Sequence, residues 1–263
     1  MSLALTSPSR WGGHRRGAGR KAGSRRRIPH RSRNGVARRF PCHVTLTMRP
    51  DVPNLRSAKL VRMLEASFAA LGDEAPTRLA HYSIQGNHVH LIVEARDRNA
   101  LGRGMKSISA RIARAVNRAF ARRGPVIADR YHLHVLRTPR EVWNALRYVL
   151  LNAHKHARRS KPGQPLDPAS SSRWFAGWRD LDVRATSSPA TESSPVTTPR
   201  TWLLAAGWRK HGLLDPRDVP GRRRSNLLIE LGPSYTAISS WILSTVTSFE
   251  SRSESSRALA PLV

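Results

Sequence analysis

A single cysteine, Cys42, stands in a chain of 263 residues. One thiol supplies neither a disulfide framework nor a cysteine-based zinc site, and it fits a reducing compartment. Acidic residues are scarce too, with 17 Asp plus Glu against 46 Lys plus Arg and a net charge of +29. Only six of those 46 are lysine, so the charge sits on guanidinium groups, whose planar forks match phosphate bidentately. This favours a nucleic-acid partner over a general polycation. A high-GC codon bias would explain arginine over lysine but not the size of the imbalance. Aromatic residues are few, at 6%. Long apolar runs are missing as well. No apolar stretch follows the basic N-terminus, so no secretory leader is expected. The moderately apolar segment 227–249 is interrupted by Glu230, Gly232, Pro233 and several Ser and Thr, so no membrane partner is expected.

What is present divides into four stretches. Residues 1–38 are rich in Arg, Gly, Ser and Pro and read as a disordered basic arm suited to non-specific phosphate contact. Residues 39–158 carry the ordered pattern. Residues 159–221 read as a loosely structured extension with Trp174, Trp178, Trp202 and Trp208, and 222–263 as a disordered Ser-rich tail.

Within 39–158 the periodicities alternate between two and 3.6. Cys42, Val44, Leu46 and Met48 alternate against His43, Thr45 and Thr47, which predicts a half-buried strand. Asn54 is placed to cap a helix over 55–71, striped by Leu60, Val61, Leu64 and Phe68. A strand over 78–85 turns through Gly86 and Asn87 into a second strand, a tight hairpin by its turn residues. A helix over 99–122 follows, then a strand within 126–136. Thr138 caps a last helix reaching 158, with Pro139 at its first position and Glu141 completing a capping box. The order βαββαβα predicts an α+β fold, a ferredoxin-like split βαβ arrangement with helices on one face of an antiparallel sheet and one extra helix. The other face would be an open, polar one carrying His43, Thr45, His81, Ser83, Gln85, His88, His90, His132 and His134.

The strand HVHLIVE opens with His88 and His90 two residues apart, which puts both imidazoles on one face, able to share a divalent cation. On the last helix, at 100° per residue, Val142, Leu146, Val149, Leu150 and Ala153 form the apolar side. Tyr148 falls opposite, with Glu141, Asn144, Asn152 and Lys155. A tyrosine is ordinarily a packing residue, and this position weakens that account. Asn152 offers a carbonyl oxygen suited to a hard cation, and Lys155 or Arg147 could offset phosphate charge.

GNHVHLIVE followed by RYVLLNAHKH resembles the HUH single-tyrosine transposases, the family of insertion-sequence and REP-associated tyrosine transposases. The resemblance spans about residues 39–157. It implies that His88, His90 and Asn152 bind Mg2+ or Mn2+ and that Tyr148 is the nucleophile. It further implies a 5′-phosphotyrosine intermediate on single-stranded or hairpin DNA. The partner expected from it is a second copy in a homodimer, whose exposed tyrosine helix serves its own or the neighbouring site. Cytoplasmic, nucleoid-associated action would follow. Two positions depart from the family pattern: Gly86 stands where Pro is usual, and Asn152 where some relatives have Gln. Arg111, Arg114, Arg118, Arg130, Arg147 and Lys155 are the candidate DNA contacts.

Blander accounts exist for each feature. An isolated HxH is more often a pair of satisfied surface histidines, as His132 and His134 are expected to be, and an arginine row is more often a solvated helix face. A domesticated, non-catalytic hairpin-binding protein would keep the charge without needing the tyrosine. An RNA-binding module would want aromatic residues on the polar sheet face, where this chain has histidines.

Overall fold

The computed structural model describes residues 35–73, 75–152, 166–179 and 194–218. Nearly all of the basic arm, Lys155 and the Ser-rich tail lie outside them. Four strands form one antiparallel sheet in the order β2-β3-β1-β4: β1 (Cys42–Thr47), β2 (Thr77–Ile84), β3 (His88–Ala95) and β4 (His132–Val135). Helix α1 (Ala58–Ala69) connects β1 to β2, and α2 (Arg98–Ala119) connects β3 to β4, which is the split βαβ order. Helix α3 (Pro139–Leu150) follows β4.

Local chemistry sets the boundaries. Helix α1 begins later than its apolar stripe suggests, because Ser57 caps it through Leu60 N. Asn54 instead accepts from Arg56 N in a preceding turn. Asp97 caps α2 at Ala100 N (2.8 Å). At α3 the capping box forms as the sequence predicts: Glu141 N donates to Thr138 Oγ1 (3.1 Å) and Thr138 N to Glu141 Oε2 (2.9 Å). A bulge at Ala80 shifts the β2–β3 register, so that Leu79 pairs with Val93 and His81 with Ile92.

Helices cover both faces of the sheet. Val44, Leu46, Tyr82, Val89, Leu91 and Val93 pack against α1 and α2. On the opposite face Ala80 and Ile92 pack with Val142, Leu146 and Val149 of α3 and with Phe175, Trp178 and Trp208. The extra helix therefore lies across the polar face, which is not open: His43, His81, Ser83, His88 and His90 are all buried. Its cover is completed by a 3-10 turn (Ser171–Trp174), a short helix α4 (Trp202–Ala205) and a second 3-10 turn (Gly207–His211). Each large apolar side chain so buried contributes roughly 1.5–3 kcal/mol. The physical reason is that α3 carries an apolar stripe of its own, which Ala80 and Ile92 of the sheet bury together with Phe175, Trp178, Leu203, Leu204 and Trp208.

The segment 166–172 is fastened along β2. Ile84 N donates to Ala169 O, Tyr82 N donates to Ser171 Oγ (3.0 Å), and Ser83 bridges Ser170. Arg56 grips the buried Asp167 with two bonds, of 2.6 and 3.1 Å. Farther along the same strand, Thr197 N donates to Leu79 O. Among the described residues no helix is long and apolar enough to cross a membrane.

Candidate active site

Sheet register gathers the polar side chains on one face. Thr45 pairs with His90 on one side and His132 on the other, His43 pairs with His134, and Ser83 with His90. Directly paired residues share a face, so the predicted coincidence of polar faces holds. Helix α3 lays Tyr148 over this face. The Tyr148 ring lies 5.1 Å from that of His90 and 5.9 Å from that of His43, both edge-on. The His88 and His90 rings are 4.7 Å apart. Tyr148 is half-buried, not exposed, because its side of α3 faces the histidines instead of solvent.

The hydrogen bonds fix ring orientations. His88 Nδ1 lies 2.8 Å from Asn87 Oδ1. An amide oxygen only accepts, so His88 donates from Nδ1 and carries its lone pair on Nε2. His90 Nδ1 lies 3.1 Å from Thr45 Oγ1 and 3.3 Å from His43 Nε2. Burial pushes the His43 imidazole down to about 3, with His134 and His132 adding smaller repulsions. His43 is thus neutral at physiological pH and can accept a hydrogen bond from His90 Nδ1–H at its Nε2, which would leave the lone pair of His90 on Nε2. Ligand histidines are ordinarily held by such a bond on the second nitrogen. The sequence placed His43 and Thr45 on the polar face and Asn87 in the hairpin turn, without giving any of them the role of orienting His88 or His90. The signals were the residue directly before His88 and the β1 residues level with His90. Burial also raises the Tyr148 phenol to about 12, so it is protonated at neutral pH.

Asn152 lies one helical turn beyond Tyr148 and is wholly buried, with neither Oδ1 nor Nδ2 hydrogen-bonded among the described residues. Leaving a buried amide unsatisfied costs about 1–3 kcal/mol. Among the described residues no three His, Cys, Asp or Glu side chains form a metal-holding group; the donor expected from the sequence to join the two imidazoles is the Asn152 amide oxygen. Two imidazoles and an amide oxygen fit a borderline divalent ion, Mn2+ better than Mg2+. Asn152→Leu is expected to raise stability by about 1 kcal/mol in urea unfolding while lowering Mn2+ affinity in calorimetry. A marked loss of stability would mean that the amide is held by the fold itself.

The predicted arginines scatter. Arg114 and Arg118 are exposed on α2, across the sheet from the histidines. Arg111 donates to the carbonyls of Ser67 (3.2 Å) and Ala70 (3.3 Å) and closes the end of α1. Arg147 is beside Tyr148 in sequence, but its guanidinium grips Asp218 with bonds of 2.7 and 2.9 Å. Arg130 is exposed just before β4, at the end of the sheet where Thr47 meets His88. His134 reaches within 3.7 Å of Glu141, and burial still lowers its pKa.

No family profile and no curated protein matches the chain. Among solved structures it is similar to a REP-associated tyrosine transposase bound to a REP hairpin, at 15% identity and a TM-score of 0.43, over 55% of this chain and 82% of that one. It is also similar to a proposed transposase from Deinococcus radiodurans R1, at 14% identity and a TM-score of 0.33, over 41% of this chain and 87% of that one. Neither likeness assigns the chain to a family.

Proposed function

We propose that this protein is a metal-dependent, transposase-like strand transferase that cuts and rejoins single-stranded or hairpin DNA through Tyr148. The observation that carries the reading is the placing of Tyr148 against His90, whose ring in turn lies beside that of His88 on the polar sheet face. The net charge of +29 supports a phosphodiester substrate.

His88, His90 and Asn152 would hold the cation, which when bound supplies polarisation of the scissile phosphate. Thr45, His43 and Asn87 keep the two imidazoles in register. Tyr148 Oη attacks phosphorus as its proton departs. The Oη–P bond forms, the bond from phosphorus to the 3′ oxygen breaks, and a proton ends on that oxygen as a free 3′-hydroxyl. The bond energy is stored in the phosphotyrosine, so a second hydroxyl can reverse the step and rejoin strands.

The test is incubation of the whole chain with end-labelled single-stranded and hairpin oligonucleotides plus Mg2+ or Mn2+, followed by denaturing electrophoresis. A covalent protein–DNA band that needs the metal is expected. Its absence across a broad substrate panel, with DNA still bound, would favour a hairpin-binding protein without catalysis.

A further inference from the structure

At the end of the sheet away from His88, a cleft of about 590 Å3 opens between the start of β2 and the end of β3. Its walls include Arg38, Arg39, Arg78, Arg96 and Arg200, and Trp202 stands beside them. The carboxylates nearby are largely committed. Glu94 accepts from Arg200 N, Thr201 N and Thr201 Oγ1 and lies 3.6 Å from Arg78. Asp73 pairs with Arg78 and Arg200, and Asp97 with Arg96. Arg38 and Arg39 are exposed, and neither has an ion pair among the described residues. A bridge from Ala37 to Asp97 fastens their segment above the cleft.

Trp202 is 56% exposed, the largest exposure of any big apolar side chain among the described residues. The ring is nonetheless held in place. It lies against Gly207, where a Cβ would come within 2.7 Å of a ring carbon, and Lys210 Nζ lies 5.3 Å from its centroid. An exposed indole held in place by Gly207, beside the exposed guanidinium groups of Arg38 and Arg39, the latter stacked over Phe40, offers a stacking surface with phosphate contacts.

We propose that this cleft binds an unpaired nucleotide of single-stranded DNA, its base stacked on Trp202 and its flanking phosphates on Arg38 and Arg39. The choice of DNA rests on the function proposed above. The stacking site itself does not. Ala95 lies seven residue steps along β3 from His88, about 23 Å at strand rise. The cleft therefore holds a flank of the substrate, and the nucleotide it takes is not the one attacked.

The whole chain is titrated by fluorescence anisotropy with oligo-dT of about 12 nucleotides, a length within the range single-strand sites take. The same oligonucleotide carrying 5-iododeoxyuridine is photocrosslinked and the modified peptide identified. Trp202→Ala is expected to bind about tenfold more weakly, within the range of one lost base–aromatic stack. Trp202→Phe should keep most of the affinity. Arg38→Ala with Arg39→Ala should flatten the salt dependence by about two phosphate contacts. The crosslink should fall on the peptide containing Trp202.

Equal affinity of wild type and Trp202→Ala, or crosslinks confined elsewhere, overturns the proposal. Tighter binding of oligo-U RNA than of oligo-dT overturns the choice of DNA. The metal-dependent covalent band, measured on the same wild-type preparation, reports separately on Tyr148. Its absence from wild type defeats the catalytic reading and leaves the cleft to be judged by the dT measurements.

Discussion

Tyr148→Phe should abolish the covalent protein–DNA band, a loss of at least about a thousandfold, as expected when the nucleophile of an acting unit is removed. The substitution deletes one oxygen and leaves the ring that sits edge-on to His90 and His43. Folding stability should change by no more than about 1 kcal/mol. Affinity for an uncleaved oligonucleotide should persist, because binding comes chiefly from arginine contacts to phosphate. The comparison thus separates chemistry from binding. A surviving band of undiminished intensity would move the nucleophile elsewhere, and a collapse of stability would show that the hydroxyl serves the fold.

Lowering the pH from 7.5 to 5 should cost the folded protein about 4 kcal/mol in urea unfolding, from two buried histidines. Burial brings both His43 and His81 down to about 3, against about 6.5 when unfolded. Between those values the unfolded chain binds more protons than the folded one, so stability is full above about 6.5 and falls as pH falls. At pH 5 each histidine is about 1.5 units below its unfolded value, which amounts to about 2 kcal/mol apiece. The depressed carboxyls of Asp51 and Asp97 act only at lower pH, whereas the lowered His134 adds to the loss in the same direction. His81→Gln should remove about 2 kcal/mol of the loss. Equal stability at the two pH values would show that these imidazoles are not held neutral inside the protein.

Local signals were fully legible in the sequence. Thr138, Pro139 and Glu141 form the capping box they spell, and alternation placed Val89 and Leu91 on one face with His88 and His90 on the other. Strand order followed from the succession of elements, and with it the layer of α1 and α2. The second layer was not legible, because its cover comes from short pieces around Phe175, Trp178 and Trp208 that have no period. Tyr148 was found from the helical wheel, but on the assumption that a polar helix face meets solvent. Here it meets buried imidazoles. Asn87 and Thr45 were placed but their role was not read, because it is defined by which ring nitrogen they touch, a matter of register and not of composition. The arginines were visible as a charge and invisible as positions: Arg147 and Arg111 satisfy Asp218 and the end of α1.

The fastening of β2 has a consequence for how much chain the domain needs. β2 is an edge strand of the sheet, yet Ala169, Ser170, Ser171 and Thr197 occupy its outer hydrogen-bonding side. An outermost strand with bare N–H and C=O groups is a template for aggregation. This one is sealed by segments that come more than eighty residues later. A fragment stopping where the recognisable helix pattern ends would keep every strand and lose the seal. It would turn a closed margin into a sticky one, and would strip Arg56 of Asp167 as well. The stretch that reads as an appendage is in that sense a built-in guard against self-association.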